Sequence, residues 1–438
     1  MNRRSILMLV LAVLAAQTPV WAQGAVSIDI RRGVDQRSVV AVPPFLAQPG
    51  LENAAREMAQ VVVYDLEFSG LFVSLPAAEY PPGFAGFDPD VAKVNLDPWR
   101  QTRAEYVVHA VVTLEGDTLL AELRLFDLLS KQQVLGRGLR AQRDLPRLLA
   151  HRFTEEVIRY IDGTPGIGTT EISFSAISGP NSKEIFVADY DGANMRQVTQ
   201  HGTVSIMPQM SPDGTRIAYL SYKDRYCFLY VYDRRTGKST PLSKEVGLNA
   251  APAWAPDGSR LAIVLSKDAN TEIYLRNADG SGLTRLTNNK NGDTSPTFDP
   301  SGQRIAFVSD RGGTPQVWVM NVDGSGAQRL SVQGGNSYDP EWSPDGKWIA
   351  YVAERRGEGL EIYIMDAQTG QSWQRLTNSQ GSNESPSWSA DGRHVIFSTT
   401  RNGRAELYSY TIKTGEERPV PNVTNRAQGP SWGPRRSE

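Results

Sequence analysis

The sequence predicts a mainly β protein, a six-bladed β-propeller preceded by a small α/β domain. Three observations carry this reading. An opening motif occurs six times along the C-terminal part of the chain. A preceding stretch alternates helical and strand patterns. The last residues open a repeat that they do not finish.

The motif runs from Pro208 through Ser211, Pro212, Asp213 and Gly214 into the alternating stretch Arg216, Ile217, Ala218, Tyr219 and Leu220. It returns at Pro252, Pro296, Pro340, Pro386 and Pro430, in steps of 44, 44, 44, 46 and 44 residues, the period of a four-stranded propeller blade. Pro212 fixes φ where a turn begins, and Gly214 takes the positive φ that reverses the chain, so a hairpin follows. Later strands read Glu272-Ile273-Tyr274-Leu275 or Glu361-Ile362-Tyr363-Ile364, with a second tight turn at Asp279-Gly280 or Thr369-Gly370.

Two residues after each proline stand Met210, Trp254, Phe298, Trp342, Trp388 and Trp432, large side chains expected to pack between neighbouring blades. The repeat region begins near Glu171 with later strands of a unit but no opening motif, and it ends with an opening at Pro430 that is never completed. The C-terminal strand is therefore expected to complete the first blade, within a propeller spanning residues 171–438, which removes an exposed sheet edge.

Residues 23–163 read as the α/β domain. Leu51, Ala55, Met58, Val62 and Leu66 form one helical stripe, and Leu145, Leu149, Phe153, Val157 and Ile161 a second, with Asp144 expected as its N-cap. Strands are expected at 38–42, 71–75, 105–114, 118–127 and 133–139. Residues 164–170 read as a short linker. At the start, Arg3 and Arg4 precede an apolar run of 11 residues, Ile6 to Ala16, and then Val20-Trp21-Ala22. A membrane-spanning helix needs roughly 18 or more apolar residues, so the segment reads as a secretory signal cleaved between Ala22 and Gln23, leaving a mature chain that is not membrane-embedded.

Removal of the signal takes Arg3 and Arg4 and no acid, so the 46 basic and 48 acidic side chains become 44 against 48. That balance lacks the basic surplus by which proteins displace counterions from phosphates, which argues against nucleic acid. Cys227 is the only cysteine, so no intramolecular disulfide forms. Gly429-Pro430-Ser431-Trp432-Gly433 fits a nucleophile-elbow string, but no histidine follows it and it coincides with a blade opening. His109, His151, His201 and His394 stand at no metal-ligand spacing, and Asp189 with Asp191 lacks the other positions of a calcium loop and reads as a turn. No cofactor is expected. The residues just before each opening proline are read as loops at one mouth of the axial channel, where mixed apolar and polar side chains suit a peptide or protein loop.

With signal, α/β domain and six such repeats in this order, the chain resembles the TolB family, the periplasmic propellers of the Tol-Pal system. The mature start adds to this: Val26 to Asp35, then Val39-Val40-Ala41-Val42-Pro43-Pro44-Phe45, looks like the family's N-terminal segment and first strand. The resemblance implies a non-enzymatic periplasmic protein, monomeric outside its complex, that serves outer-membrane integrity and its invagination during cell division. It implies that the lipoprotein Pal binds the propeller mouth, here at Met207, Leu248, Asn249, Ala251, Asp293, Thr294, Tyr338 and Glu384. It implies that the inner-membrane protein TolA engages the arm 23–35, here through Val26, Ile28, Asp29, Ile30 and Val34. The alternative is an enzyme-associated propeller: a peptidase gating domain, for which the N-terminal residues leave no room, or a glycan-processing enzyme using Asp293, Asp339 and Glu384.

Overall fold

A computed structural model describes residues 37–436 apart from 85, 332–334, 356, 358, 379–380 and 425. The expected cleavage at Ala22 and Gln23 and the arm residues Val26, Ile28, Asp29, Ile30 and Val34 lie outside the described residues.

The N-terminal part builds one sheet from β1 (Ser38–Ala41), β2 (Leu46–Ala47), β3 (Phe72–Ser74), β4 (Tyr106–Glu115), β5 (Thr118–Asp127) and β6 (Gln132–Gln142). β1 runs parallel to β3 and β4, and β4, β5 and β6 form an antiparallel meander. Helices α1 (Glu52–Phe68) and α2 (Pro146–Asp162) lie together and share one core with the sheet. The start of α2 differs from expectation. Its N-cap is Leu145, with no side-chain cap bond and Pro146 in the first turn, where the missing N–H goes unneeded. Asp144 is thus one residue too early to cap, and Leu145 is exposed rather than on the buried stripe.

The propeller consists of six four-stranded antiparallel sheets. Blade 1 is made of β7 (Thr170–Gly179), β8 (Ser182–Asp189) and β9 (Arg196–Gln197), completed by the chain's final strand, Gln428–Arg435, which pairs antiparallel with β7. Ser175 Oγ donates to the Gln428 carbonyl at 3.1 Å, and the Trp432 indole N–H donates to Thr170 Oγ1 at 2.9 Å. Blades 2 to 6 occupy residues 205–243, 249–285, 293–329, 336–375 and 383–419. Ser431, the serine of the elbow-like string, sits inside the closing strand and donates its Oγ toward Gln209, so no strand-to-helix elbow exists there.

The repeated large residues are buried between blades. Trp342 joins Ala306, Val317 and Val319 of blade 4 to Ile349 and Tyr351 of its own blade 5, and Trp254 and Trp388 bridge in the same way. Two of them add a bond to the preceding blade. The Trp254 indole N–H donates to the Gln209 carbonyl at 3.0 Å, and the Trp388 indole N–H to the Glu341 carbonyl at 3.2 Å. Arg216 and Arg304 of the preceding blades lie over the Trp254 and Trp342 rings at 4.6 and 4.7 Å.

The N-terminal domain rests on blades 1 and 6. Phe68 and Ile167 enter an apolar cluster with Phe174, Tyr190, Ile396, Leu407 and Trp432. Around it, Arg37 pairs with Glu416 at 3.0 Å, Arg147 with Asp191, and Arg393 with Asp162. Arg435 donates to the carbonyls of Gly166 and Pro165 at 2.6 and 2.7 Å. His394 lies between Phe68 and Trp432, and burial pushes its imidazole down to about 4, so a neutral ring fills this contact at physiological pH. The polar partners Asp191, Arg393, Glu416 and Arg435 belong to the end where inner strands turn into second strands. Among the described residues, these contacts of the N-terminal domain fall at that end.

Truncation before Gln428 leaves β7 as an open edge and takes Trp432 out of the interdomain cluster. The expected result is a lower, broadened thermal transition by circular dichroism and concentration-dependent association by light scattering. A truncated chain that melts like the intact one, as a monomer, shows instead that closure adds nothing.

Candidate functional site

A cavity of about 490 Å³ runs along the propeller axis, walled by the inner strands of the blades and by the turns that follow them. Its lining repeats one backbone device. The residue before each opening proline has positive φ: Met207 at 53°, Ala251 at 46°, Ser295 at 47°, Asp339 at 45°, Ser385 at 54° and Gly429 at 58°. At each of these places the pairing of inner and second strands shifts register, as between Ile206 and Gln209 or Thr294 and Thr297. Proline offers no N–H to a ladder, and the bulge removes the need for one. These six residues line the channel. The expectation of loops before the prolines is therefore corrected: they lie within the inner strands (205–210, 249–254, 293–298, 336–342, 383–388 and 428–435), and the bulge gives them to the channel.

The residues expected at the mouth divide into two groups. Met207 and Leu248 are 46% and 38% exposed, Glu384 is exposed, and Ala251, Thr294 and Tyr338 are half-buried. Asn249 and Asp293 are instead fully buried. Asn249 Oδ1 accepts from Ser243 Oγ at 2.7 Å and its amide donates to the Glu245 carbonyl at 2.8 Å, tying the connection between blades 2 and 3. Asp293 accepts from Arg311 at 2.7 Å and Asn289 at 2.8 Å. Both side chains hold the rim rather than present a surface.

Three further residues belong with the exposed group: Tyr222 at 43%, Tyr226 at 69% and Val246 at 84% exposed. Tyr222 and Tyr226 bound the loop between the second and third strands of blade 2, and Val246 precedes Leu248 in the connection to blade 3. With Met207 they form an apolar rim on blades 2 and 3, at the end away from the N-terminal domain. Two tyrosines in a loop outside the strand alternation were the signal in the sequence.

The other side of the channel is acidic. Asp339 and Glu341 of blade 5 line it, and Glu384 of blade 6 lies close enough for its charge to interact with Asp339. Loss of water around the carboxyl groups raises those of Asp339 and Glu384, although part of the Glu384 side chain is exposed, and the Asp339 charge pushes Glu384 further. Burial carries Glu341 up to about 7, although its carboxylate accepts from Ser387 Oγ and the Trp388 backbone N–H, both at 3.1 Å. A glycosidase needs two carboxyls facing across a substrate. Here three carboxyls line the channel: Asp339 and Glu341 share one strand, and Asp299 of blade 4 is buried and taken up by Ser301 and Arg304 in its own turn, while Asp293 is buried against Arg311.

Glu341 makes stability depend on pH with a definite sign. An acid whose folded pKa is raised keeps its proton in the folded state after the unfolded chain has lost it. Stability from this group therefore falls as pH rises from about 4.5 to about 7. Glu341→Gln is expected to flatten this part of the urea-midpoint profile between pH 5 and 8. An unchanged slope identifies another group as its source.

The propeller part of the chain, residues 159–436, matches the family model of the TolB beta propeller domain, and residues 26–134 match that of the TolB amino-terminal domain. Among curated relatives, the Tol-Pal system protein TolB of Jannaschia sp. (strain CCS1) is 32% identical over 252 residues, 55% of this chain and 56% of that protein. The namesake from Dinoroseobacter shibae is 35% identical over 222 residues, 48% of this chain and 49% of its own. The chain thus spans about half the length of the curated relatives it matches. Among solved structures, TolB from Acinetobacter baumannii superposes with a TM-score of 0.82 at 26% identity, covering 91% of this chain and 97% of that one. A chain of the nidogen/laminin complex, at 10% identity and a TM-score of 0.51, covers 61% of this chain and 100% of its own, and shares the fold alone. Since the propeller model alone spans more than half of its residues and the amino-terminal model precedes it in the same order, this chain belongs to the TolB family.

Proposed function

We propose that the chain is a periplasmic, non-enzymatic component of the Tol-Pal system. In this reading it binds the lipoprotein Pal at the mouth of the propeller and TolA through the arm 23–35, and so serves outer-membrane integrity and its invagination during division. The observation that carries the reading is the asymmetric mouth. Met207, Tyr222, Tyr226, Val246 and Leu248 give an apolar rim beside an acidic channel wall. Exposed apolar side chains on neighbouring blades beside a channel are what a protein partner covers, while the channel takes a projecting donor or cation. The printed name of the relatives, Tol-Pal system protein TolB, supports the choice of system.

The described part of the domain that follows the arm is seated at the opposite end, which supports separate faces for the two partners. The arm engages TolA as an added strand or extended peptide. Pal shifts that engagement only to the extent that it binds one arrangement of the arm better than the other.

Two measurements test the reading. Calorimetry of the mature protein with purified Pal should give saturable heat, and Met207→Glu with Leu248→Glu should weaken it by about tenfold or more, the loss expected when an apolar anchor is replaced by a charge. Deletion of residues 23–34 should abolish TolA binding and spare Pal. No heat with Pal at high concentration from a folded protein overturns the mouth assignment, and unchanged TolA affinity overturns that of the arm.

A further inference from the structure

The turn at Asp189 and Asp191 lacks calcium-loop ligands within its own sequence, but folding brings it a third group. A ring nitrogen of His151, from α2, and one carboxylate oxygen from each of Asp189 and Asp191 lie within 4.8 Å of one another, all three residues buried. Nδ1 of His151 is occupied, at 2.8 Å from Asp65 Oδ2. Nε2 has no hydrogen-bond partner, and the side chain is only 4% exposed. A buried polar atom without a partner is costly, and here it belongs to a strong metal ligand.

Asp65 is itself held, accepting from Tyr190 Oη at 2.5 Å and Thr154 Oγ1 at 2.5 Å. A fixed carboxylate on Nδ1 is the arrangement that orients a metal-bound imidazole and makes its other nitrogen the ligand. We propose that Nε2 of His151, with Asp189 and Asp191, binds a divalent transition metal, Zn²⁺ foremost, and so staples α2 to blade 1. One imidazole with two carboxylates is a zinc-type donor set, and water completes four ligands.

The surrounding charges allow this. Arg147 pairs with Asp191 and Arg436 with Asp189, and each has a second acid at hand: Arg147 Nη1 lies 3.9 Å from Glu57, and Arg436 lies 2.6 Å from Glu171. An incoming ion therefore displaces neither guanidinium into an unpaired state. Asp189 and Asp191 face these two guanidiniums, and Asp65 adds a third carboxylate on the other side of the His151 ring.

The test uses the full mature chain, freed of metal by a chelator and titrated with Zn²⁺ alone. One equivalent is expected to bind, to be retained through gel filtration and to raise the melting temperature. Asp191→Asn should weaken binding at least tenfold and His151→Gln should abolish it, whereas Cys227→Ser should leave it unchanged. Co²⁺ in place of Zn²⁺ should give a visible absorption band that is lost in Asp191→Asn. If His151→Gln does not fold, Asp191→Asn decides the question alone. Absence of stoichiometric Zn²⁺, or equal affinity in Asp191→Asn, overturns the proposal.

Discussion

The pairing of the last strand, Gln428–Arg435, with β7 is the contact on which the rest of the molecule depends. It turns an open array of sheets into a ring, and only a ring encloses a channel. It also makes the platform for the N-terminal domain, which sits across the seam: Phe68 shares a cluster with Trp432 of the closing strand through His394, Arg435 holds the carbonyls of Pro165 and Gly166, and Arg393 reaches Asp162 from blade 6. The chain enters and leaves the propeller at the same place, so one strand both closes the ring and seats its neighbour.

Within the ring, a local conflict is repeated in every blade. Proline in an inner strand forfeits a ladder bond, and the residue before it takes a left-handed conformation that costs an ordinary L-residue about 1–2 kcal/mol. Only Gly429 escapes that cost by residue type. The conformation persists because the blades on either side fix it through the Trp254 and Trp388 bonds to preceding carbonyls and through Ser295 Oγ, which donates to Asp339 at 3.1 Å. Strain held by surrounding packing is a recurrent property of binding surfaces. Here it places one side chain per blade against the channel.

The fold was legible because its signals are periodic. Proline spacing gave the blade length, the unfinished opening at Pro430 gave the closure, and the large residue two places on gave the blade contacts. Details that rest on partners distant in sequence were not legible. Asn249 and Asp293 read as polar rim residues, yet Asn249 is consumed by Ser243 and Glu245, and Asp293 by Arg311 and Asn289. Proline reads as a strand breaker, so the residues before it were expected in loops; only the bulge explains how an inner strand tolerates it. The family resemblance named a mouth, but Tyr222, Tyr226 and Val246 emerged from exposure in three dimensions. His151 and Asp65 stand 86 residues apart, a separation no local motif could bridge.

The seam also orders events in time. Ser175 and Gln428 are 253 residues apart, and Thr170 and Trp432 are 262 apart. Contacts of such separation carry a large loop-closure entropy and form late and slowly. Blades 2 to 6 are each contiguous in sequence and can assemble as the chain emerges. Blade 1 waits for residues 428–435 to be synthesised, and the complete seat of the N-terminal domain waits with it. Ring closure is thus the step at which a string of independent hairpins becomes one cooperative body, and a nascent chain short of its final strand presents its longest-lived exposed edge at β7.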